Sequence, residues 1–264
     1  MFAAPRSFQH IEPLRRFARS AWKQYAKTFK PPHFVEKRLG AYWLLDQHNI
    51  IDRNLFCFGV WEQAEIDRLQ QMSRAIARGP EKPMFLDVGS HAGFYAILMA
   101  KSGIFGRVMA FEPIPRHLAN LNANLLLNGL TDSVEVHALA LSDKQAVLRF
   151  AQGPATNRGM AHTIDGLSTG LLNAMPKDQI VEVKAERLDD LLQVRGGTAG
   201  VKIDVEGHEE ATINGMIEFL KGNTCALQVE ILPEAVERVS TLLATCGYKP
   251  RGNIGLDHYF DNAG

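Results

Sequence analysis

About a third of the way along the chain, an acid, two glycines and the start of a helix occur at a spacing suited to ligand binding. An apolar run ends at Asp87, and Gly89 and Gly93 follow it, four residues apart, before a stretch of helical length. Glycine lets the backbone approach a ligand, and the first turn of a helix has N–H groups without intrahelical partners. The dinucleotide fingerprint is absent because Ser90 and His91 fill the tight turn, and no Gly-Lys-Ser/Thr of a phosphate loop follows. The pattern therefore indicates a nucleotide-like ligand without a pyrophosphate.

A second carboxylate ends the next predicted strand. Glu112 follows Gly89 by 23 residues, and a carboxylate in that place accepts hydrogen bonds from both hydroxyls of a ribose. Ribose, adenine and a small zwitterionic tail together describe S-adenosylmethionine. This is the cofactor that the sequence indicates.

An acidic cluster with one histidine follows the fourth predicted strand. Asp204, Glu206 and His208 lie at or just beyond the end of that strand, on the face where the sulfonium of the cofactor is expected. Methyl transfer is an in-line displacement, so positioning supplies much of the acceleration. An alkyl hydroxyl is nevertheless a poor nucleophile and needs a base. We predict Asp204, Glu206 and His208 as catalytic residues, and the sequence leaves open which of them is the base.

A metal site is an alternative use of the same strand ends. Glu230 ends the fifth predicted strand, next to Asp204 in the expected strand order. These two carboxylates suit Mg²⁺, which binds one or two carboxylates and keeps several waters. Asp204 has a second interpretation, in which it only orients the backbone or the amine of the cofactor. The histidines show no spacing typical of zinc sites.

From Met84 onward, short apolar runs alternate with helical patterns, which is typical of a parallel sheet covered by helices. The predicted strands are Met84–Val88, Val108–Phe111, Val134–Leu141, Val201–Val205 and Ala226–Ile231. The predicted helices are Gly93–Ala100, Arg116–Leu127, Glu209–Leu220 and Glu234–Thr245, and residues 248–260 add a hairpin.

Two segments depart from this alternation. Residues 41–80 are predicted to be irregular until a helix begins at about Trp61. Residues 151–179 are rich in Gly, Pro, Ser, Thr and Asn, and a loop of that length is usually functional. We predict a substrate loop there, near the carboxyl ends of the strands where such sheets bind ligands, with a surface excursion as the alternative.

Six segments between about residues 55 and 232 share motifs and order with one enzyme family. They are GVWE, FLDVGSHAGFYAILMA, VMAFEP, VEVHALALSD, ERLDDLL and VKIDVEGHEEATINGM. The chain thereby resembles the FkbM family of S-adenosylmethionine-dependent methyltransferases. The resemblance implies an α/β, Rossmann-like class I methyltransferase with a seven-stranded sheet of six parallel strands and one antiparallel strand. It also implies methyl transfer to an oxygen, often a hydroxyl of a sugar or polyketide.

The resemblance further implies a set of cofactor-binding residues. The glycine-containing turn surrounds the methionine half, Glu112 holds the ribose, and three further residues border the adenine. The full set is Glu62, Asp87, Gly89, Ser90, Gly93, Phe94, Glu112, Pro113, Ala140 and Leu141. Pro113, Ala140 and Leu141 follow from the family pattern alone. Trp61 and Glu62 either cover the methionine end of the cofactor, or Trp61 is simply a core residue.

Composition and charge set the wider expectations. The chain has 264 residues, of which 46% are hydrophobic and 22% charged, as in an ordinary folded protein. We predict an N-terminal helical extension and cap over residues 1–80 and a methyltransferase domain over residues 81–264. The three widely spaced cysteines indicate a reducing compartment. With no signal-peptide or membrane-span pattern, we expect a cytoplasmic protein.

The amino-terminal segment concentrates positive charge. Residues 1–40 carry nine basic and two acidic residues, a net charge of +7, and because the whole chain is neutral the remainder carries −7. Apolar residues recur at helical spacing over residues 8–30. Such a helix either docks its apolar face on the protein or makes peripheral contact with an anionic membrane, and the sequence leaves both open. The acidic remainder argues against nucleic acid as a substrate.

These observations together predict an S-adenosylmethionine-dependent O-methyltransferase that acts on a hydroxyl of a saccharide or natural product. The alternative is a catalytically silent cofactor-binding or scaffold protein of the same fold, against which the intact glycine turn and Glu112 argue. The sequence does not determine the acceptor or whether the protein forms an oligomer.

Overall fold

The computed structural model describes residues 24, 28, 31–47, 49–77, 81–152, 161–164 and 180–263. The described residues up to Gln63 belong to one compact unit, and those from Ala64 onward belong to a second. The predicted helix over residues 8–30 lies outside the described residues, apart from Gln24 and Thr28, which are helical. The predicted domain boundary after residue 80 stays a prediction.

Between residues 31 and 58, the described part of the first unit forms a β-hairpin followed by a helix. Strands β1 (His33–Arg38) and β2 (Ala41–Asp46) pair antiparallel, and helix α1 (Ile50–Phe58) begins after Asn49, whose side chain accepts a hydrogen bond from the N–H of Ile51. This corrects two predictions, because the extension is not helical throughout and residues 41–60 are not irregular. Buried residues alternate with more exposed ones in β1 and in the first four residues of β2. This half-buried pattern is too short to be recognised in the sequence beside charged neighbours.

The second unit is built on a seven-stranded sheet. Its strands are β3 (Met84–Val88), β4 (Arg107–Phe111), β5 (Val134–His137), β10 (Thr198–Ile203), β11 (Thr224–Glu230), β12 (Lys249–Ile254) and β13 (Asp257–Asp261). Their order is β12-β13-β11-β10-β3-β4-β5. Six strands run in one direction and β13 opposes them, which confirms the predicted sheet and the terminal hairpin. The central strands are buried along nearly their whole length, as expected when both faces of a parallel sheet are covered.

The helices of this unit follow the predicted positions, except that the short helix Leu188–Leu191 was not predicted and one predicted helix is divided. They are α2 (Gln63–Ile76), α3 (Phe94–Lys101), α4 (Pro115–Leu127), α5 (Leu188–Leu191), α6 (Glu209–Asn214), α7 (Ile217–Gly222) and α8 (Val236–Thr245), with a 3-10 turn at Pro233–Ala235. The single helix predicted over Glu209–Leu220 is interrupted at Gly215, where a Cβ would overlap the carbonyl of Ser142. Within the described ranges, no helix has the length and apolar character needed to cross a membrane.

A second sheet of four strands was not predicted. It consists of β6 (Ala140–Leu141), β7 (Ala146–Gln152), β8 (Ala161–Thr163) and β9 (Ile180–Glu186), in the order β6-β9-β7-β8. The predicted strand Val134–Leu141 therefore divides between two sheets, because the chain leaves the large sheet after His137. The predicted loop at 151–179 begins in β7 and includes β8, while residues 153–160 and 165–179 lie outside the described residues.

Candidate functional site

The turn between β3 and α3 packs tightly against the rest of the second unit. Gly89 has a φ of +84°, and a Cβ there would overlap the carbonyl group of Asp204. Gly93 has a φ of +82°, and a Cβ there would overlap Cδ1 of Leu121. The N–H groups of Gly89 and Ser90 both donate to the carbonyl of Phe111, at 3.0 Å each. The two glycines thus allow the ends of β3, β4 and β10 to meet at one place.

Asp87 fixes the start of α3 from the end of β3. Its side chain is buried, and its Oδ2 accepts a hydrogen bond of 2.8 Å from the N–H of Ala96. Its Oδ1 is buried without a hydrogen-bond partner among the described residues. Burial raises the pKa of Asp87 to about 6, although the nearby charge of Lys202 opposes this rise. Asp87 therefore holds the helix and keeps one acceptor atom unused.

Glu112 lies where the sequence predicts, at the end of β4 and facing the glycine turn. Its carboxylate is buried, with Oε2 accepting from the N–H of His91 at 2.7 Å and Oε1 from the N–H of Ile114 at 2.8 Å. Nδ1 of His117 lies 3.4 Å from Oε1. Because a carboxylate oxygen accepts more than one hydrogen bond, Glu112 is held in a fixed orientation and still has capacity for a ligand.

His91, in the middle of the glycine turn, is a site residue that the sequence prediction missed. Its φ of +49° is in the left-handed region, and its Nε2 is buried without a hydrogen-bond partner among the described residues. The imidazole lies against that of His117, with ring centroids 4.2 Å apart. Burial, reinforced by the charge of His117, lowers the pKa of His91 to about 3, so the imidazole is neutral at physiological pH.

A row of polar side chains crosses the central strands beneath α3. Lys202 is buried, with its Nζ 2.7 Å from Oδ2 of Asp204 and 4.6 Å from the ring centroid of Tyr95. Gln228 donates to the hydroxyl of Tyr95 and to Oδ1 of Asp257, both at 2.8 Å. The sequence prediction did not include Lys202, Tyr95, Gln228 or Asp257. The sequence does mark two of them, because Lys202 and Gln228 are polar residues within otherwise apolar strands.

Asp204 and Glu230, at the ends of β10 and β11, are joined by a side-chain hydrogen bond. Burial alone would raise the pKa of Asp204, but the charge of Lys202 and hydrogen bonds from Glu230 and Lys202 hold it below its usual value. Burial and the adjacent Asp204 charge raise the pKa of Glu230 to about 9. At neutral pH, Glu230 therefore carries the proton of this hydrogen bond.

The structure thus brings together the two carboxyl groups of the magnesium alternative, which stays a prediction. No group of three or more potential metal-binding side chains is found in the part of the chain that the structure describes. A neutral Glu230 would have to lose its proton before it could bind a cation as a carboxylate.

The other two predicted catalytic residues have different surroundings. Glu206 is exposed, with a φ of +51°. Partial desolvation and the charges of Asp204 and Glu209 raise its pKa. His208 lies at the start of α6, where its Nε2 is 3.0 Å from Oγ of Ser142. Glu206 is therefore the member of the predicted set that faces solvent.

The remaining predicted cofactor-binding residues occupy several environments. The hydroxyl of Ser90 is used internally, donating to the carbonyl of Asp87 at 2.7 Å. Phe94 and Pro113 are half-buried beside the turn and after β4. Ala140 and Leu141 are 7% and 1% exposed, in the hydrophobic core. Glu62 belongs to the first unit, so its proposed contact with the cofactor stays a prediction, as do those of the others.

The sheet order and the turn after β3 define a Rossmann-like fold of the kind found in class I methyltransferases. The chain matches the methyltransferase FkbM domain family over residues 87–250, which is more than half of its length, and it belongs to that family. A search of curated proteins found no match.

Several solved structures are similar to the chain. A methyltransferase FkbM from Methylobacillus flagellatus KT is 14% identical with a TM-score of 0.47, covering 95% of this chain and 60% of that one. TYW2 of M. jannaschii, in complex with AdoMet, is 16% identical with a TM-score of 0.45, over 88% of this chain and 84% of that one. A precorrin-6y C5,15-methyltransferase from Geobacter metallireducens GS-15 is 15% identical with a TM-score of 0.45, over 76% of this chain and 88% of that one. The chain therefore spans about three fifths of the length of the first of these.

Proposed function

We propose that this protein is an S-adenosylmethionine-dependent O-methyltransferase acting on a hydroxyl of a saccharide or related natural product. The observation that carries the proposal is the Glu112 carboxylate, which is fixed by the N–H groups of His91 and Ile114 beside the glycine turn. An acceptor in this place suits the two hydroxyls of a ribose. Membership of the FkbM family supports the same cofactor.

The polar groups of the site fit such a cofactor. Glu112 would hold the ribose hydroxyls, and the ionised Asp204 would accept from the ammonium of the amino-acid tail. Two buried polar atoms, Oδ1 of Asp87 and Nε2 of His91, lack partners among the described residues, which is expected where a ligand completes the hydrogen bonding. When bound, the cofactor supplies a methyl group activated by its sulfonium.

The chain's own contribution to the chemistry is to place the acceptor and remove its proton. Glu206 is exposed and has a raised pKa, so its carboxylate is accessible and more basic than an ordinary one. Asp204 is less basic because it is paired with Lys202. We therefore assign proton acceptance to Glu206 and orientation of bound groups to Asp204.

Calorimetry with S-adenosylhomocysteine tests the cofactor assignment. Glu112→Ala should weaken binding by about 30–1000-fold, since two charge-assisted hydrogen bonds contribute about 2–4 kcal/mol. Glu112→Gln should give a smaller loss because it keeps the shape and one acceptor. The matched control is Glu135→Gln on neighbouring β5, whose carboxylate is exposed and paired with Arg107. Unchanged affinity in Glu112→Ala would contradict the assignment.

Methyl transfer from labelled S-adenosylmethionine tests the acceptor class. We expect label in a saccharide or natural-product fraction of a cell extract, in a form stable to mild alkali, because methyl ethers survive conditions that hydrolyse methyl esters. Alkali-labile label would overturn the hydroxyl assignment. Binding of S-adenosylhomocysteine without any transfer would favour the catalytically silent alternative.

A further inference from the structure

His91 combines two energetically unfavourable features. Its backbone is in the left-handed region, with a φ of +49°, which side chains other than glycine adopt at a cost. Its Nε2 is buried without a hydrogen-bond partner among the described residues, and a buried unpaired polar atom is also costly. Such departures from local rules concentrate at functional sites.

The surroundings of His91 place it between the two acidic strand ends. Its N–H donates to Oε2 of Glu112 at 2.7 Å, at the end of β4. Its ring lies 4.2 Å from that of His117, and its turn packs against β10, since a Cβ at Gly89 would overlap the carbonyl group of Asp204. The imidazole therefore lies within the region that the proposed function gives to the cofactor.

The side chains at the two strand ends are hydrogen-bond acceptors. Glu112 and Asp204 offer carboxylate oxygens, which suit hydroxyls and an ammonium. The ammonium of Lys202 is already bound to Asp204 at 2.7 Å. The amino-acid tail of S-adenosylmethionine also carries a carboxylate, which needs a donor. A neutral imidazole with its proton on Nε2 is such a donor.

We propose that His91 is a cofactor-binding residue whose Nε2–H donates a hydrogen bond to the carboxylate of the amino-acid tail of S-adenosylmethionine. The inference rests on the proposed function and adds a specific role for a residue in the turn. Glu112 then binds the ribose, Asp204 binds the ammonium of the tail and His91 binds the carboxylate of the tail.

Two ligands that differ only in this tail test the proposal by calorimetry. S-adenosylhomocysteine has the amino-acid tail, and 5′-methylthioadenosine has the adenosine and thioether without it. His91→Phe keeps an aromatic ring against His117 and removes the nitrogen. It should weaken S-adenosylhomocysteine about tenfold, the size expected for one charge-assisted hydrogen bond. It should leave the affinity for 5′-methylthioadenosine unchanged.

Rescue and stability measurements separate this role from a structural one. His91→Gln places an amide nitrogen at a similar reach and should recover affinity to within about threefold of the wild type. The melting temperature of ligand-free His91→Phe should not fall, because the substitution removes an unpaired buried atom. If His91→Phe does not fold, His91→Asn gives the same contrast, since asparagine tolerates the left-handed backbone but is too short to replace Nε2.

The outcomes also distinguish this proposal from the proposed function. Equal losses for both ligands, or no loss for either, would overturn the role of His91 while leaving the cofactor assignment in place. If the wild-type protein binds neither ligand, the proposed function fails and the role of His91 fails with it.

Discussion

Of the three predicted catalytic residues at and after the end of β10, two have side-chain partners within the protein and one is exposed to solvent. Asp204 is bound by Lys202 and shares a hydrogen bond with Glu230. His208 is 3.0 Å from the hydroxyl of Ser142. Glu206 makes no hydrogen bond among the described residues and is exposed. This difference favours Glu206 as the base, a choice that the sequence alone left open.

Replacing Glu206 with glutamine should slow turnover without affecting cofactor affinity. We expect Glu206→Gln to lower kcat by about 10²-fold or more, with S-adenosylhomocysteine binding unchanged. Because the carboxylate is the active form, wild-type kcat should rise with pH through the raised pKa of Glu206, and this rise should be absent in the variant.

The matched control for this experiment is Glu210→Gln, which changes an exposed acid of α6 that is paired with Arg238. It should leave kcat and its pH profile unchanged. Full activity in Glu206→Gln, together with a large loss in His208→Ala, would instead assign the base to His208.

The shared proton of Asp204 and Glu230 gives stability a specific pH dependence. The pKa of Glu230 is raised from 4.5 to about 9 in the folded protein. Its contribution to stability is therefore fully present below pH 4.5 and is lost progressively as pH rises through about 9. Asp52 and Asp87, whose pKa values are raised to about 7 and about 6, affect the pH dependence of stability at lower pH than Glu230 does.

Glu230→Gln removes this titration and keeps a hydrogen-bond donor toward Asp204. We expect the melting temperature of the wild-type protein to fall between pH 7.5 and 9, and that of Glu230→Gln to fall less. Thermal unfolding monitored by circular dichroism across this range measures the difference. Parallel curves for the two proteins would show that Glu230 is already ionised at pH 7.5.

At the scale of elements, continuous apolar strands were predictable and half-buried ones were not. Buried parallel strands such as β3 and β11 are mainly apolar runs bounded by turns, and the sequence marks them clearly. The strands of the β1–β2 hairpin and of the small sheet are short and only partly buried, so their sequences show no clear strand pattern beside charged neighbours. The same limit applies to the polar residues of the site. Asp87 and Glu112 can be identified from the sequence because they lie at strand ends, whereas His91 and Lys202 are recognised as site residues only from their tertiary contacts.

The contact between the glycine turn and β10 gives a prediction about these elements. Gly89→Ala must displace the carbonyl of Asp204, so we expect a loss on the order of 3 kcal/mol in the free energy of unfolding, together with loss of S-adenosylhomocysteine binding. Gly129→Ala is the matched control, because its φ is +65° and nothing lies within 4 Å of the added Cβ. It should cost about 1 kcal/mol through backbone strain alone and should leave binding intact. Urea unfolding and calorimetry on both variants measure these effects, and equal losses of stability would contradict the predicted overlap.

At the scale of the whole molecule, the main feature is the segregation of charge. Residues 1–40 carry a net charge of +7 and the rest of the chain carries −7. Asp204, Glu206 and Glu209, at and just beyond the end of β10, contribute to that negative charge. An acceptor with several hydroxyls and no negative charge suits this environment better than a phosphorylated or polyanionic one.

Lipid vesicles can distinguish the two roles of the basic amino-terminal segment, which are packing on the protein and contact with an anionic membrane. Six cationic residues between Arg15 and Lys30, each worth about 1 kcal/mol beside an anionic bilayer, would hold the chain on vesicles if its apolar stripe faced the lipid. A stripe at helical spacing more often packs on protein, so we expect the full chain to stay in the supernatant with anionic vesicles at low salt. Deleting residues 1–30 should then lower the melting temperature. Co-sedimentation with anionic but not neutral vesicles, reversed at physiological salt and lost on the same deletion, would instead assign this segment to a membrane surface.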